Sequence, residues 1–321
     1  MRGVRMGQFI KVFLISLLCF ALTIGAGIYT YIRFFNPYDG ENYTYVENPA
    51  WDKNFNEIEE DDLTPLEKAI RTSKRVNILV MGLEGLRSDT MMVVSFDRAT
   101  ANVNIIAIPR DTYFFREGYE AQGQKKVNAI YSASGAQGVM KVFENILKVP
   151  IHNFITIDYE GVRKSVDVIG GVEVDVPFHM EYEDPYDDPP LSINIPEGLQ
   201  VLNGEKSLEY LRFRHNNDWT VGYPNGDLGR IEAQQKFIKN ALKKTLSFRL
   251  PVILREIYPY IKTDLNLAEM LLLAGDAVNF SIEKLDTAMI PGYTTMIDGL
   301  SYYVHDPRLL GDMIDELYGV E

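Results

Sequence analysis

The chain has 321 residues, of which 46% are hydrophobic, so it can bury a substantial core in one large domain or two small ones. Its 45 acidic and 32 basic residues give a net charge of -13, which disfavours a broad electrostatic attraction to nucleic acid. An anionic ligand would therefore need a local pocket of arginines. The one cysteine, Cys19, allows no internal disulfide, and the large leucines before it disfavour a lipid-attachment site.

The N-terminal region contains a long apolar run. Val12 to Ile32 is about 21 residues without a charge, which is long enough to cross a bilayer as a helix. Basic residues precede this run, which predicts that the N-terminus lies in the cytoplasm and the bulk of the chain outside. A cleaved signal peptide is the alternative, but its apolar region would be shorter. The sequence thus predicts a cytoplasmic tail at 1–11 and a single transmembrane helix at 12–34.

A polar, acidic segment follows at 35–74 and is predicted to be a stalk. It contains the acidic run Glu57 to Asp62, whose charge is typical of a solvated linker. One short helix is predicted near its end, with Thr64 as the cap and Pro65 in the first helical position. We expect the catalytic domain to occupy 75–321.

Three apolar runs open this domain and predict consecutive strands, at Val76 to Leu83, Met91 to Phe96 and Val103 to Ile108. Their continuous apolar character indicates a sheet buried on both faces by helices, and so an α/β fold. Further predicted elements are helices over Gly135–Lys148, Gly161–Val168, Gly229–Leu246, Leu267–Asn279 and Arg308–Tyr318, strands over Phe154–Asp158 and Val172–Val176, a helical turn over Gly204–Tyr210, and a closing hairpin between Leu285 and Val304. The acidic stretch from Glu181 to Pro190 is predicted to be a solvated loop rather than a cation site.

Arginines and aspartates recur in short clusters along the domain. Arginine's planar fork suits phosphate oxygens, and several arginines can share a pyrophosphate. Arg212 and Arg214 are two residues apart, so an extended segment would point both the same way. Such a pair is also common on exposed strands, so it does not define a site alone.

A second group is Asp227, Arg230 and Gln234, whose spacings of three and four place them on one face of a helix. The simpler interpretation is that Asp227 caps this helix and Arg230 is solvated. Arg110 follows Pro109 at the end of a predicted strand, where α/β sheets expose functional groups.

Arg87 and Asp89 are predicted to lie in the tight connection after Leu83. Each of these residues, taken singly, is compatible with an ordinary loop ion pair.

Five motifs together resemble those of the LytR-CpsA-Psr family, and they occur in the family's order. They are Arg87-Ser88-Asp89-Thr90-Met91-Met92, Ile108-Pro109-Arg110-Asp111-Thr112, Lys126-Val127-Asn128-Ala129-Ile130-Tyr131, Leu211-Arg212-Phe213-Arg214-His215 and Gly226-Asp227-Leu228-Gly229-Arg230-Ile231-Glu232-Ala233-Gln234-Gln235. The resemblance covers Val76 to Leu246, and Pro291-Gly292 with Gly299 to Val304 resembles the family's C-terminal hairpin.

The resemblance implies an α-β-α sandwich with a mixed central sheet, outside a bacterial membrane and tethered by one N-terminal helix. It implies a phosphotransferase that moves a glycopolymer, such as teichoic acid or capsular polysaccharide, from a polyprenyl-pyrophosphate carrier to peptidoglycan. Carried over by position, the pyrophosphate would be bound by Arg87, Arg110, Arg212, Arg214 and Arg230, with Gln234 supporting the phosphate wall. Asp89 and Asp227 would bind Mg²⁺, and either of them could accept the hydroxyl proton.

The chain departs from the family in the loop from Gly82 to Arg87, which is shorter and has Glu84 where an aspartate is common. Two other functions remain open on sequence grounds. One is a polyprenyl-phosphate-binding protein of wall assembly without ligase activity, and the other is a pyrophosphate hydrolase. A transcription regulator is disfavoured because the domain is acidic and shows no helix-turn-helix pattern. The apolar strands and the helix from Gly135 are suggested to form a tunnel for the lipid tail.

Overall fold

The structure is a computed structural model, and it describes residues 59–119, 121, 123–187, 190–245, 250–277 and 282–320. The predicted cytoplasmic tail (1–11), the transmembrane helix (12–34) and the stalk up to residue 58 lie outside these ranges. Within the described ranges, no helix combines the length and the apolar character needed to cross a membrane.

The described residues form strands and helices that are numbered here in chain order. The strands are β1 (Arg75–Glu84), β2 (Arg87–Asp97), β3 (Asn102–Ala107), β4 (Asn153–Ile157), β5 (Val172–Val176), β6 (Met180–Asp184), β7 (Leu191–Ile195), β8 (Gly198–Leu202), β9 (Ile261–Thr263), β10 (Leu285–Met289), β11 (Gly292–Ile297) and β12 (Leu300–His305). The helices are α1 (Pro65–Thr72), α2 (Ile130–Leu147), α3 (Tyr159–Val168), α4 (Gly204–Arg212), α5 (Asp227–Thr245), α6 (Leu250–Ile257), α7 (Leu267–Asp276) and α8 (Pro307–Tyr318).

The central sheet has six strands in the order β10-β3-β2-β1-β4-β9. Strand β2 runs antiparallel to both β1 and β3, as the short turns between these consecutive strands require. Strand β4 returns parallel to β1 after the crossover through α2, and β10 lies parallel to β3. The predicted mixed sheet is therefore confirmed.

Helices cover both faces of this sheet, as the predicted sandwich requires. On one face Met81 and Val93 share a buried cluster with Phe143 of α2 and Ile314 of α8. On the other face Met92 and Ile105 share a cluster with Ile238 and Leu242 of α5. The alternation of side chains along β2 puts Met92 and Val93 into different layers, which is why both faces need a helical cover.

A second core lies beside the sheet. Strand β5 pairs with β8 and β6 pairs with β7, and both pairs pack with α3, α4 and α5 around buried residues such as Met180, Ile195, Tyr210 and Phe213. This core holds the chain from α4 to α5 in place, and that stretch carries several of the predicted site residues.

The predicted cap at Thr64 is confirmed, because its hydroxyl accepts from the Glu67 backbone N–H while the Glu67 carboxylate accepts from the Thr64 backbone. Two other predictions need correction. The acidic stretch was predicted to be a loop, but Met180–Asp184 is a strand paired with Leu191–Ile195. Likewise, the closing hairpin consists of β11 and β12 alone, whereas Leu285–Met289 joins the central sheet.

Candidate active site

Arg110 lies at the edge of the central sheet where β1, β3 and β4 end and β2 begins. Its backbone is held by a tight turn, because the Thr112 N–H donates to the Pro109 carbonyl at 2.9 Å. The Arg110 carbonyl in turn accepts from the Asn128 N–H at 3.2 Å. Pro109 and these two hydrogen bonds fix the direction in which the Arg110 side chain leaves the sheet.

The side chain of Arg110 lies between two carboxylates. Its Nη1 donates to Asp89 Oδ1 at 2.8 Å, and its Nε lies 3.7 Å from Asp227 Oδ2. The other oxygen of Asp227 lies 2.7 Å from Arg230 Nη2. The structure thus brings together Asp89, Arg110, Asp227 and Arg230 in one row of alternating charge.

The helix α5 supplies three of the predicted residues from one face, as the spacing indicated. Arg230 and Gln234 are 4% and 6% exposed, respectively. Gln234 accepts from the Thr90 hydroxyl at 3.3 Å and donates to the Leu211 carbonyl at 3.1 Å. Both the oxygen and the nitrogen of this amide are therefore hydrogen-bonded, and Gln234 connects β2 to α4.

Arg212 and Arg214 both line the same cavity, although not as a single extended segment. Arg212 is the last residue of α4, and only the following Phe213 is extended and buried. The helix continues into the motif because its C-terminal turn packs Tyr210 and Phe213 into the second core. Arg212 Nη2 donates to Glu84 at 3.2 Å and to Asp187 at 2.6 Å, whereas Arg214 is exposed at the cavity mouth.

Arg87 takes a different position from the one predicted. It is the first residue of β2, paired with Glu84 across the turn, rather than part of a loop. The turn is tight because Gly85 adopts φ +59, so only two residues separate the strands. Arg87 is exposed and lies two residues further out along the strand than Asp89, roughly 7 Å. It does not line the cavity that Arg212, Arg214 and Arg230 share, and neither does Arg110.

A cavity of about 630 Å³ opens at this edge of the sheet. Asp89 and Val94 both line it, and they lie roughly 17 Å apart along β2, so the cavity runs inward beneath the sheet. Apolar side chains dominate its lining inside, and they come from the sheet face opposite α2 and from α3, α5 and α6: Val80, Val94, Val162, Val166, Ile169, Ile238, Leu242 and Ile257. An apolar cavity is therefore present, but the helix containing Gly135, which was suggested to line a tunnel for the lipid tail, packs on the other face of the sheet.

Arginine donors without hydrogen-bond partners lie at the polar end of the cavity, where Arg230 is part of the lining, and just behind it, where Arg110 pairs with the lining residue Asp89. The Nε atoms of Arg110 and Arg230 and the Nη2 of Arg230 are buried and make no hydrogen bond within the described residues. The 2.7 Å contact from Arg230 Nη2 to Asp227 is thus an ion pair whose angle is unsuited to a hydrogen bond. Unsatisfied buried donors are costly, and the charges of both guanidinium groups would attract an anion bound at this end of the cavity.

Burial dominates the electrostatics of Arg230. It lowers the pKa of Arg230 to about 10, and the charges of Arg214 and Arg110 act in the same direction while Asp227 opposes them. Burial alone would also raise the pKa of Asp89, but its hydrogen bonds with Glu84 and Arg110, together with the charges of Arg110 and Arg214, lower that pKa overall. Asp89 is therefore a carboxylate at neutral pH and accepts a hydrogen bond from Arg110.

The carboxylates of Asp89 and Asp227 are hard oxygen donors of the type that Mg²⁺ prefers. Both are engaged by arginines, and the described part of the chain holds no group of three or more His, Cys, Asp or Glu side chains able to bind a metal. Magnesium commonly binds through one or two carboxylates plus substrate phosphates. The donor set fits an ion that arrives with a phosphorylated ligand.

Two neighbours of the site were not predicted from the sequence. One is Tyr159, because the guanidinium of Arg212 lies over its ring, 4.5 Å from the ring centroid. The other is Asp187, which forms the shorter of the two ion pairs of Arg212. Burial and a hydrogen bond to Glu84 raise the pKa of Tyr159. Tyr159 follows β4, so the rule that functional groups lie at strand ends would have found it. Asp187 lies in an irregular loop and carries no such signal.

The fold and the site define an α/β protein with a cationic edge at the mouth of an apolar cavity. The model of the LytR_cpsA_psr family matches residues 43–320. The chain belongs to this family, as its motifs indicated.

Two relatives are both named polyisoprenyl-teichoic acid--peptidoglycan teichoic acid transferases. TagV of Bacillus subtilis (strain 168) is 28% identical over 309 residues, which cover 92% of this chain and 74% of TagV. TagU of Enterococcus faecalis (strain ATCC 700802 / V583) is 32% identical over 236 residues, which cover 72% of each. The crystal structure of B. subtilis TagV superposes with a TM-score of 0.64 at 27% identity, covering 78% of this chain and 99% of that structure.

Proposed function

We propose that the chain is a membrane-anchored phosphotransferase that attaches a glycopolymer of the teichoic acid or capsular type from a polyprenyl-pyrophosphate carrier to peptidoglycan. The observation that carries the proposal is the cationic end of an apolar cavity, where Arg212, Arg214 and Arg230 are in the lining and Arg110 pairs with Asp89, another lining residue. A lipid-linked pyrophosphate matches both parts at once, since its tail is apolar and its head is anionic. The names of TagV and TagU support the substrate class.

In the proposed reaction, a hydroxyl of the peptidoglycan glycan attacks the sugar-proximal phosphorus. The new P–O bond replaces the bond from that phosphorus to the bridging oxygen, and polyprenyl phosphate leaves with the electron pair. The hydroxyl proton passes to Asp89 or Asp227, the two carboxylates that flank Arg110. Asp89 lines the polar end of the cavity, and Asp227 pairs with Arg230 of the same lining.

The arginines position the pyrophosphate and neutralise the charge that develops on it. Such transfer depends on positioning and electrostatics more than on covalent protein chemistry. Arg230 is held inside the wall by burial and Arg110 by the turn behind it, so neither needs to reorganise when the charge moves. Arg212 and Arg214 complete the cationic rim, and Gln234 braces the wall.

Asp89 and Asp227 would hold Mg²⁺ together with the phosphates of the donor. Bound there, the ion would neutralise charge on the phosphate oxygens. The proposal places the chain at the outer face of the cell membrane, anchored by the apolar run at 12–34. This anchor is supported by the length of the run and by the basic residues before it.

The test is turnover by the purified full chain with lipid-linked polymer and isolated cell wall. Arg110→Ala should lower transfer by roughly 100- to 1,000-fold, the range seen when one preorganised donor to a reacting centre is removed. Arg163→Ala is the matched control, because Arg163 is a half-exposed arginine paired with Glu205 away from the cavity.

Product analysis with and without wall separates the alternatives. Polymer attached to the wall supports the transferase. Free phosphorylated polymer in both cases would instead identify a hydrolase, and tight retention of lipid without turnover would identify a binding protein.

A further inference from the structure

An exposed tryptophan lies beside the polar end of the cavity, in the loop between α4 and α5. Trp219 is 74% exposed. Its ring stacks on that of His215, with centroids 3.4 Å apart and planes at 20°. His215 meets Tyr182 edge to face at 6.2 Å, and both His215 and Tyr182 line the cavity. These three rings, Trp219, His215 and Tyr182, are called the aromatic platform below.

The backbone at Trp219 is strained. Its φ is +62°, in the left-handed region that bulky side chains rarely adopt. The loop compensates with local hydrogen bonds, since Asn216 accepts from the Val221 N–H at 3.0 Å and Asp218 accepts from the Thr220 hydroxyl at 2.7 Å. Strain of this kind persists only where the surroundings enforce it, and it is concentrated at ligand sites. The exposed ring of Trp219 is therefore held in position by a hydrogen-bonded turn.

A second set of contacts fixes the turn to the wall of the site. The Asn217 side chain accepts from the Glu183 N–H at 2.8 Å and donates to the Glu183 carbonyl at 2.7 Å. This pair of bonds continues the hydrogen-bonding edge of β6 and holds the turn next to Tyr182. The platform is thus rigid on both sides while the outer face of Trp219 stays open.

We propose that the aromatic platform binds a sugar ring of the peptidoglycan glycan that serves as acceptor. The face of an aromatic ring is negative and attracts the polarised C–H groups on the apolar face of a pyranose. A rigid aromatic surface that is open to solvent on one side fits such a ring. Because His215 lines the cavity, a glycan seated on Trp219 is held beside the arginines that bind the pyrophosphate. This inference rests on the proposed transferase function.

Charge favours the acceptor over the polymer of the donor. Asp218 precedes Trp219, and Glu183 lies on the strand to which the turn is fixed. Teichoic acids carry a phosphate in each repeat, so these carboxylates repel them. In intact peptidoglycan the lactyl carboxyl group of each N-acetylmuramyl residue is amide-linked to the stem peptide, so the sugar backbone itself carries no charge. The donor is also held through its pyrophosphate, whereas the acceptor needs a contact surface of its own.

Trp219→Gly tests the inference, because it removes the ring and relieves the strained φ together. With the full chain in detergent and no donor present, we expect affinity for soluble peptidoglycan glycan strands that keep their stem peptides to fall roughly three- to tenfold, the value of one aromatic contact. The melting temperature should stay level or rise, since glycine adopts this conformation without strain. Trp219→Phe should retain most of the affinity. Tyr293→Ala, at an exposed aromatic on the closing hairpin, should change nothing.

Transfer kinetics provide the second arm. Trp219→Gly should raise the acceptor KM by a similar factor while kcat and the donor KM stay constant. A raised donor KM would overturn the inference by assigning the platform to the donor polymer, and unchanged glycan affinity would overturn it outright. Glycan binding by a wild-type chain that shows no transfer would refute the proposed function while leaving a glycan site at Trp219.

Discussion

Replacing Arg230 with methionine should make the ligand-free protein more stable while abolishing its binding of pyrophosphate. Methionine fills a similar length of buried space without a charge. Arg230 is 4% exposed, and its Nε and Nη2 have no hydrogen-bond partner among the described residues. The variant therefore removes a buried cation that the empty site does not satisfy.

The magnitude follows from the pKa of Arg230. Burial lowers this pKa from the ordinary value of an arginine to about 10, even though the charge of Asp227 opposes the shift. A difference of about 2.5 pKa units corresponds to roughly 3 kcal/mol of folding free energy lost by keeping the side chain charged at neutral pH. This value already includes the attraction between Arg230 and Asp227, so no separate ion-pair contribution is subtracted. We expect Arg230→Met to stabilise the protein by about 1–3 kcal/mol.

Equilibrium unfolding in urea measures the effect, with and without inorganic pyrophosphate. Pyrophosphate at 100 times its dissociation constant should stabilise the wild-type chain by about 2.7 kcal/mol, and it should not stabilise Arg230→Met. The matched control is Arg163→Met, at an arginine whose side chain is 43% exposed. Its unfolding free energy should change by less than about 0.5 kcal/mol.

Two results would refute this reasoning. If Arg230→Met destabilises the empty protein by more than about 1 kcal/mol, the arginine serves the fold rather than a ligand. If the variant still gains stability from pyrophosphate as the wild type does, the anion binds elsewhere.

The other predictions concern the metal, the lipid and pH. Asp89→Asn should raise the Mg²⁺ concentration needed for half-maximal transfer, measured by metal titration after chelation, and an unchanged titration would assign the metal elsewhere. Ala241→Phe, inside the cavity, should raise the KM of a long-chain polyprenyl donor more than that of a short-chain one, whereas equal effects would place the tail outside. Burial lowers the pKa of His152 to about 4, and its Nδ1 accepts from the Asn77 N–H. Below pH 6.5 His152 is protonated in the unfolded chain but stays neutral in the folded chain. The free energy of unfolding should therefore fall by up to about 3 kcal/mol between pH 6.5 and 4. His152→Asn should flatten that slope in urea unfolding, and a slope equal to the wild type's would contradict this assignment.

The sequence predicted the sheet well because its signals there are local. Three apolar runs with short turns between them lead to antiparallel neighbours, and the observed β1 to β3 match them within a few residues. The helix predicted from Gly135 in fact begins at Ile130, with Gly135 at φ 61° forming a kink inside it. A glycine is a common stop signal, and only tertiary packing of Ile130 into the core shows that the helix continues before it.

The sequence indicated which residues lie near one another better than it indicated which residue each of them pairs with. The spacing of Asp227, Arg230 and Gln234 correctly indicated one helix face, because helical geometry is periodic. The partner of each charge was not predictable, since the Arg212 pair with Asp187 joins residues 25 apart through an irregular loop. The roles of these residues in binding pyrophosphate and Mg²⁺ stay predictions.

The direction of the strands explains why the arginine motifs lie far apart in sequence and close together in space. Strands β1, β3 and β4 end at one edge of the sheet, and β2, which is antiparallel to β1 and β3, begins there. Motifs that follow β3 and open β2 therefore meet at that edge, where Arg110 reaches Asp89.

The closing hairpin holds this arrangement in place. The Tyr303 N–H donates to the Asp111 carbonyl at 2.9 Å, and the Tyr303 carbonyl accepts from the Tyr113 N–H at 2.8 Å. The buried Tyr303 hydroxyl also donates to the Ile290 carbonyl at the end of β10. The loop of Arg110 is thus bound as an added strand segment between the sheet and β12. This explains how the hairpin of β11 and β12, which contains no predicted catalytic residue, positions Arg110 between Asp89 and Asp227.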